Sequence, residues 1–249
     1  MKPFISIITP TKNRPEFFGN ILRNFFRQDY DLEKMELIIG DDSEKSNEFL
    51  IQKHKNVNYL FLEPMSIGKK RNILCEKSKG DIIIFMDDDD YYPPDKVSHV
   101  VDKLWNSNYL VSGSSEMYVY YICYDKIFKF GPYPTEGDYN KSTNHTTCGT
   151  LSFKRKYFEN NKFPDKNCAE EKIFLNNWKT EVLQLDALKS ILCISHLDNT
   201  VDKHKHLKSG IKTKLKLEDI IINKIDIEFY RKLIGIQSGG EFEKIDIKI

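Results

Sequence analysis

Short, almost uninterrupted apolar runs alternate along the first hundred residues with segments whose apolar positions recur three and four apart. Phe4-Ile5-Ser6-Ile7-Ile8 is the first run, the pattern of a strand buried on both faces. Phe17, Ile21, Leu22, Phe25 and Phe26 follow at helical spacing. Residues 35–39 and 57–62 read as second and third strands, residues 67–79 as a helix stopped by Gly80, and residues 82–86 as a fourth strand. Pro94 then opens a helix carrying Val97, Val100, Val101 and Leu104. This alternation predicts a parallel sheet covered by helices, with ligands beyond the carboxyl ends of the strands. Polar clusters at residues 9–14, 41–43 and 87–90 each follow a strand, so one sheet edge gathers them into one site.

The second half is less regular. Residues 109–130 are rich in Tyr, Val and Ile and predict strands or hairpins. Residues 149–153 and 191–194 predict two more strands, and residues 172–178 a helix. From about Lys203 the chain is rich in Lys and Ile and predicts a helical tail over residues 217–234. There is no internal repeat or low-complexity linker. The simplest organisation is one α/β domain, residues 1–202, with a nucleotide-binding half (1–107) and an acceptor-side half (108–202). A C-terminal extension, residues 203–249, follows.

Composition narrows the function classes. A net charge of +1 gives no electrostatic case for nucleic acid. The 5 cysteines include no CxxC pair, which argues against a zinc ribbon, a thioredoxin motif or a disulfide framework and favours a reducing compartment. The apolar start is too short for a signal peptide, and no stretch reaches the length of a membrane span. A cytoplasmic protein without a transmembrane segment is expected.

The strongest chemical signal is Ile82-Ile83-Ile84-Phe85-Met86-Asp87-Asp88-Asp89-Asp90. A buried strand here delivers four carboxylates in succession, which repel one another unless a cation joins them. Hard divalent cations such as Mn²⁺ or Mg²⁺ take such oxygen ligands. Side chains alternate along a strand, which predicts a shared task for Asp87 and Asp89. Leu37-Ile38-Ile39-Gly40-Asp41-Asp42-Ser43 places further acids after the second strand, a position from which acids accept hydrogen bonds from a base or ribose or cap the next helix. Gly68-Lys69-Lys70-Arg71-Asn72 sets cations at a helix start, where the dipole gains nothing from them, so an anionic partner such as a diphosphate would account for them. Neither a P-loop nor a GxGxxG fingerprint is present.

The ordered segments SIITPTKNRP, ELIIGDDS, GKKRN and IIIFMDDDDYYPPDKV resemble those of the family 2 glycosyltransferases of the GT-A fold, over roughly residues 3–198. The resemblance implies a Rossmann-like, mostly parallel sheet and a nucleoside-diphosphate sugar donor, with UDP favoured. It implies that Asp42 binds the base and Thr11 lies at the base pocket. Arg71 and Lys70 would lie near the base or diphosphate, and Asp87 and Asp88 on the ribose side. Pro10, Asn13 and Arg14 would complete the nucleotide-sugar contacts, although Lys12 stands where the family usually has an aromatic residue. Asp89 is implied as the metal ligand, with His196 as a late additional one and Mn²⁺ or Mg²⁺ as the ion.

Further along, residues 145–155 resemble the acceptor-side strand, and Glu170-Glu171 falls on the family's Glu-Asp catalytic motif, with Glu171 at the position of the base. His204 and His206 stand among lysines and read as exposed. The QxxRW motif of processive synthases is absent, so a single transfer to a glycan, protein or small-molecule hydroxyl is expected. The Tyr-rich segment and the tail are available for an acceptor, a membrane surface or a second copy of the chain in a homo-oligomer. Two rival readings are a sugar nucleotidyltransferase, which would be expected to carry a glycine-rich triphosphate loop after the first strand, and a non-catalytic nucleotide- or glycan-binding module, which would have lost the acids.

Overall fold

The computed structural model describes residues 2–51, 53–133, 144–196, 199 and 203–233. Its first half is β1 (Ile5–Thr11), α1 (Phe18–Phe26), β2 (Met35–Asp41), β3 (Val57–Phe61), α2 (Ile67–Lys77), β4 (Ile82–Phe85) and α3 (Lys96–Leu104). The second half adds β5 (Val111–Gly113), β6 (Met117–Tyr121), β7 (Lys126–Phe130), β8 (Ser152–Lys154), α4 (Arg155–Asn160), α5 (Glu170–Phe174), β9 (Val182–Gln184), α6 (Ala187–Ser190) and β10 (Leu192–Ser195). Then come β11 (Ile211–Lys212), α7 (Leu217–Ile220) and α8 (Lys224–Lys232).

Seven strands form the main sheet in the order β3-β2-β1-β4-β8-β5-β9. The first four are parallel to one another, and β8 runs antiparallel to both β4 and β5. The continuous apolar runs have the expected cause: the central strands are covered on both sides. Ile5, Ile7, Leu37, Ile39, Ile82 and Ile84 pack on one face under α1 and α3. Their neighbours Ile8, Ile38, Ile83 and Phe85 pack on the other with Leu74 of α2 and Phe174 of α5. Each fully buried side chain of this kind contributes ~1.5–3 kcal/mol, which makes this interleaved core the main source of stability.

A second sheet, in the order β10-β6-β7-β11, stands beside the first. Residues 203–233 lie against it. Leu217, Ile221, Ile227, Tyr230 and Leu233 are buried with Tyr120, Ile127, Leu192 and Ile194 of that sheet.

Two predicted helices have different bounds. The helix expected at residues 172–178 is α5, which ends at Phe174, because Asn176, Asn177 and Trp178 all take left-handed backbone (φ 52°, 52° and 63°) and cannot extend a right-handed turn. The helix expected at residues 217–234 is two helices. Ile221 is extended and the Asn223 side chain accepts from the Ile225 amide, starting α8 afresh. Leu197, Asp198 and the stretch 234–249 of the expected extension lie outside the described residues.

Candidate active site

The carboxyl ends of the parallel strands open into a cleft of about 600 Å³. Thr11 pairs in register with Asp41, and Ile8 with Phe85, so the polar residues after β1, β2 and β4 emerge side by side. Pro10, Thr11, Arg14, Asp42, Lys70, Arg71, Asp87, Asp88, Asp89, Glu170 and Glu171 all line this one cleft. Two named residues do not line it. His196 lies behind Asp89, and the Asn13 side chain accepts from the Glu44 amide, holding the loop after β1.

The two acids after β2 have separate tasks. Asp41 is consumed within its own loop, accepting from the Ser43 amide (2.9 Å), the Asn47 amide nitrogen (2.9 Å) and the Tyr59 hydroxyl (2.8 Å). Asp42 faces the cleft and accepts from the Met65 amide (3.1 Å) and from Lys70. Lys70 Nζ also donates to the Thr11 carbonyl at 2.7 Å. Burial depresses the Lys70 pKa, against the pull of Asp42.

The acid run does not follow strand alternation. Because β4 stops at Phe85, Asp87 and Asp89 diverge, and the shared task expected of them gives way to an Asp88–Asp89 pairing. Arg14 Nη1 bridges Asp88 (2.9 Å) and Asp89 (3.0 Å), and the Thr11 hydroxyl donates to Asp88 at 2.6 Å. Asp89 Oδ2 lies 3.1 Å from His196 Nε2 and accepts from Asn199 at 3.1 Å. Asp87 pairs instead with Arg71 Nη2 (3.3 Å). Asp90 turns inward, accepting from the Ile194 amide (2.7 Å) with Lys203 Nζ 3.7 Å away. Burial, then repulsion from Asp89, pushes the carboxyls of Asp88 and Asp90 up to about 7. Burial pushes Asp89 the same way, but the His196 hydrogen bond and the charges of Lys203 and Arg14 outweigh it and hold Asp89 low.

The cations expected to await a diphosphate are turned onto the protein's own acids. Arg71 contacts Glu170 and Asp87 and donates to Cys148 Sγ at 3.0 Å. Glu170 is 4% exposed, whereas Glu171 is half-buried, with Cys148 Sγ at 3.7 Å. The loop leading to both glutamates is seated on the start of α2. The Gly68 amide donates to the Lys166 carbonyl (3.1 Å), and a Cβ at Gly68 would stand 2.0 Å from the Pro164 carbonyl oxygen. Only glycine permits that approach.

Sequence reasoning missed Cys148, Lys203 and Asn199, which also line the cleft, and Lys96 behind it. Lys96 is fully buried and donates to the carbonyls of Phe85 (3.0 Å) and Gly149 (2.8 Å), tying the end of β4 to the turn that carries Cys148. Burial pulls its pKa down to about 7.

Residues 6–161 match the family model described as Glycosyl transferase family 2. The chain belongs to glycosyltransferase family 2. Within this enzyme family it is 27% identical over 92 residues to the poly(ribitol-phosphate) β-N-acetylglucosaminyltransferase TarS of Staphylococcus aureus, covering 34% of this chain and 16% of TarS. It is 38% identical over 102 residues to an uncharacterised glycosyltransferase of Haemophilus influenzae, covering 38% of this chain and 40% of that protein. The chain thus spans well under half the length of these curated relatives. The crystal structure of S. aureus TarS residues 1–349 in complex with UDP superposes with a TM-score of 0.62 at 17% identity, covering 82% of this chain and 68% of TarS 1–349. The mannosyltransferase PcManGT of Pyrobaculum calidifontis, in complex with GDP-Man and Mn²⁺, gives a TM-score of 0.54 at 15% identity, covering 76% of this chain and 58% of that one. The fold of this family 2 member is therefore the GT-A fold, a large sheet flanked by helices. Among its described residues, no helix is long and apolar enough to cross a membrane.

Proposed function

We propose that this family 2 enzyme transfers a sugar from a UDP-sugar to a hydroxyl acceptor, with inversion and with help from a divalent ion. The observation that carries the reading is the single cleft in which Asp42, the Asp88–Asp89 pair and the two glutamates converge on one sheet edge. TarS residues 1–349 have been crystallised with UDP and with UDP-GlcNAc, which favours UDP as the nucleotide.

The residues fit a divalent ion. Asp89 Oδ2 and His196 Nε2 lie 3.1 Å apart, so an oxygen and a nitrogen donor of the kinds that take divalent ions stand side by side. Arg14 already supplies a positive group between Asp88 and Asp89. Asp89, with His196 behind it, would hold such an ion, which would supply positive charge to offset the charge growing on the departing diphosphate.

The chain's own groups account for the rest. Asp42 accepts hydrogen bonds from the base. Glu171, less committed than Glu170, takes the proton of the acceptor hydroxyl as its oxygen attacks the anomeric carbon. The bond from that carbon to the diphosphate oxygen breaks, and UDP departs with the electron pair. Arg71 lies within reach of the developing charge.

Thermal unfolding with nucleoside diphosphates and Mn²⁺ or Mg²⁺ tests the donor site. UDP with Mn²⁺ at about 100-fold above its Kd should stabilise the protein by ~2.7 kcal/mol, a rise in Tm of roughly 5–10 °C. If no nucleoside diphosphate shifts the midpoint with either ion, the reading is wrong.

A further inference from the structure

We propose that Tyr230, far beyond the segment matched by the family model, is a positioning residue for the loop that carries Asp88, Asp89 and Asp90. The inference rests on the donor-site reading above. Tyr230 is 0% exposed, and its hydroxyl proton is shared between Asn20 Oδ1 (2.7 Å) and the Asp90 carbonyl (2.9 Å). The Asn20 side chain in turn donates to the carbonyls of Asp88 (2.9 Å) and Asp90 (3.0 Å), and Asn24 donates to Asp90 (2.9 Å). Three side chains from flanking helices therefore grip the backbone of the acid run, two from α1 and one from α8, beside the Tyr92 hydroxyl that accepts from the Asp87 amide (2.6 Å).

The two helices are locked to each other as well. Asp226 of α8 is fully buried and pairs with Arg23 Nε and Arg27 Nη2, each at 2.7 Å. Such a frame fixes where a loop's carboxylates point, because four like-charged side chains would otherwise splay apart. Groups that orient ligands from behind are worth 10–100-fold in metal affinity. A buried hydroxyl that only needed a partner could end on Asn20 alone, whereas this one also reaches the Asp90 carbonyl. Tyr230 already has ring partners in Tyr91 (6.3 Å) and Phe229 (5.2 Å).

Calorimetric titration of Mn²⁺ into the whole protein with UDP present, for the parent, Tyr230→Phe and Phe158→Leu, separates the two roles. Tyr230→Phe keeps the ring and removes the hydroxyl, and should weaken Mn²⁺ binding about tenfold while the ligand-free Tm moves by only a few degrees. Phe158 of α4 packs on Phe153 in the core on the face of the sheet away from α1 and α3, so Phe158→Leu should lower the ligand-free Tm and leave the titration unchanged. A Tyr230→Phe protein that titrates like the parent overturns the proposal. So does weakening that simply follows the loss of Tm in both variants. A parent protein that takes up no Mn²⁺ with UDP refutes the donor-site reading itself, and this inference with it.

Discussion

The two ends of the cleft solve opposite electrostatic problems. At the β2 end a single cleft-facing carboxylate, Asp42, meets two lysines: Lys70 in contact and the half-exposed Lys12 at 3.8 Å. At the β4 end six carboxylates, from Asp87, Asp88, Asp89, Asp90, Glu170 and Glu171, face three cations, Arg14, Arg71 and Lys203. The first end is satisfied by the protein alone and offers hydrogen-bonding geometry. The second holds more carboxyl groups than cations in a buried place, which pushes Asp88 and Asp90 up to about 7, and on the proposed function a cation bound with the donor would relieve it. On the proposed function, one cleft would thus have a recognition end that is complete before the ligand arrives and a reactive end that the ligand completes.

Three tests probe that asymmetry. The largest effect is expected at the reactive end, where Asp89→Asn should lower metal-dependent turnover by on the order of 10³-fold, several kcal/mol of transition-state stabilisation. Steady-state assays across a Mn²⁺ series would show it, and full activity at limiting metal would remove Asp89 from the ligand set. Next, Glu171→Gln should reduce turnover by about 10²-fold with donor affinity little changed. Glu170→Gln should do less to turnover and more to stability, since Glu170 is the buried partner of Arg71. The reverse ranking would move the base to Glu170.

The third test compares the ends directly, by ligand-free melting. Asp42→Asn strands the buried Lys70 ammonium and should cost ~3–5 kcal/mol. Asp88→Asn relieves repulsion among crowded acids and should not lower the Tm. Equal losses at both positions would erase the distinction drawn between the two ends.

Much of the recognition end was readable from the sequence, because a strand covered on both faces leaves an unbroken apolar run, and acids placed directly after it have nowhere to go but the sheet edge. Asp42 was separable from Asp41 only by the family resemblance, and the coordinates supply the physical reason: Asp41 is spent on Ser43, Asn47 and Tyr59. The reactive end was less legible. Period-two reasoning failed beyond Phe85 because the strand had ended. Lys203 sits in a lysine-rich stretch that looks like any solvated surface, and Tyr230 reads as one more apolar position on a short helix. Their partners in the acid run lie more than a hundred residues away, with Tyr230 and Asp90 separated by 140 positions, and no local pattern encodes such a contact.

Gly68 gives the cleft its gauge. With no side chain there, the helix bearing Lys70 and Arg71 rests backbone against backbone on the strand of loop that delivers Glu170 and Glu171. A rigid shim of this kind leaves no rotamers to relax. On the roles proposed for Arg71 and Glu171, the clearance between the group that would receive the departing charge and the group that would accept the proton is then set by the peptide unit itself. Even one added methyl at that point would widen it, and the loss would fall on the alignment of two reacting partners, each still bound normally.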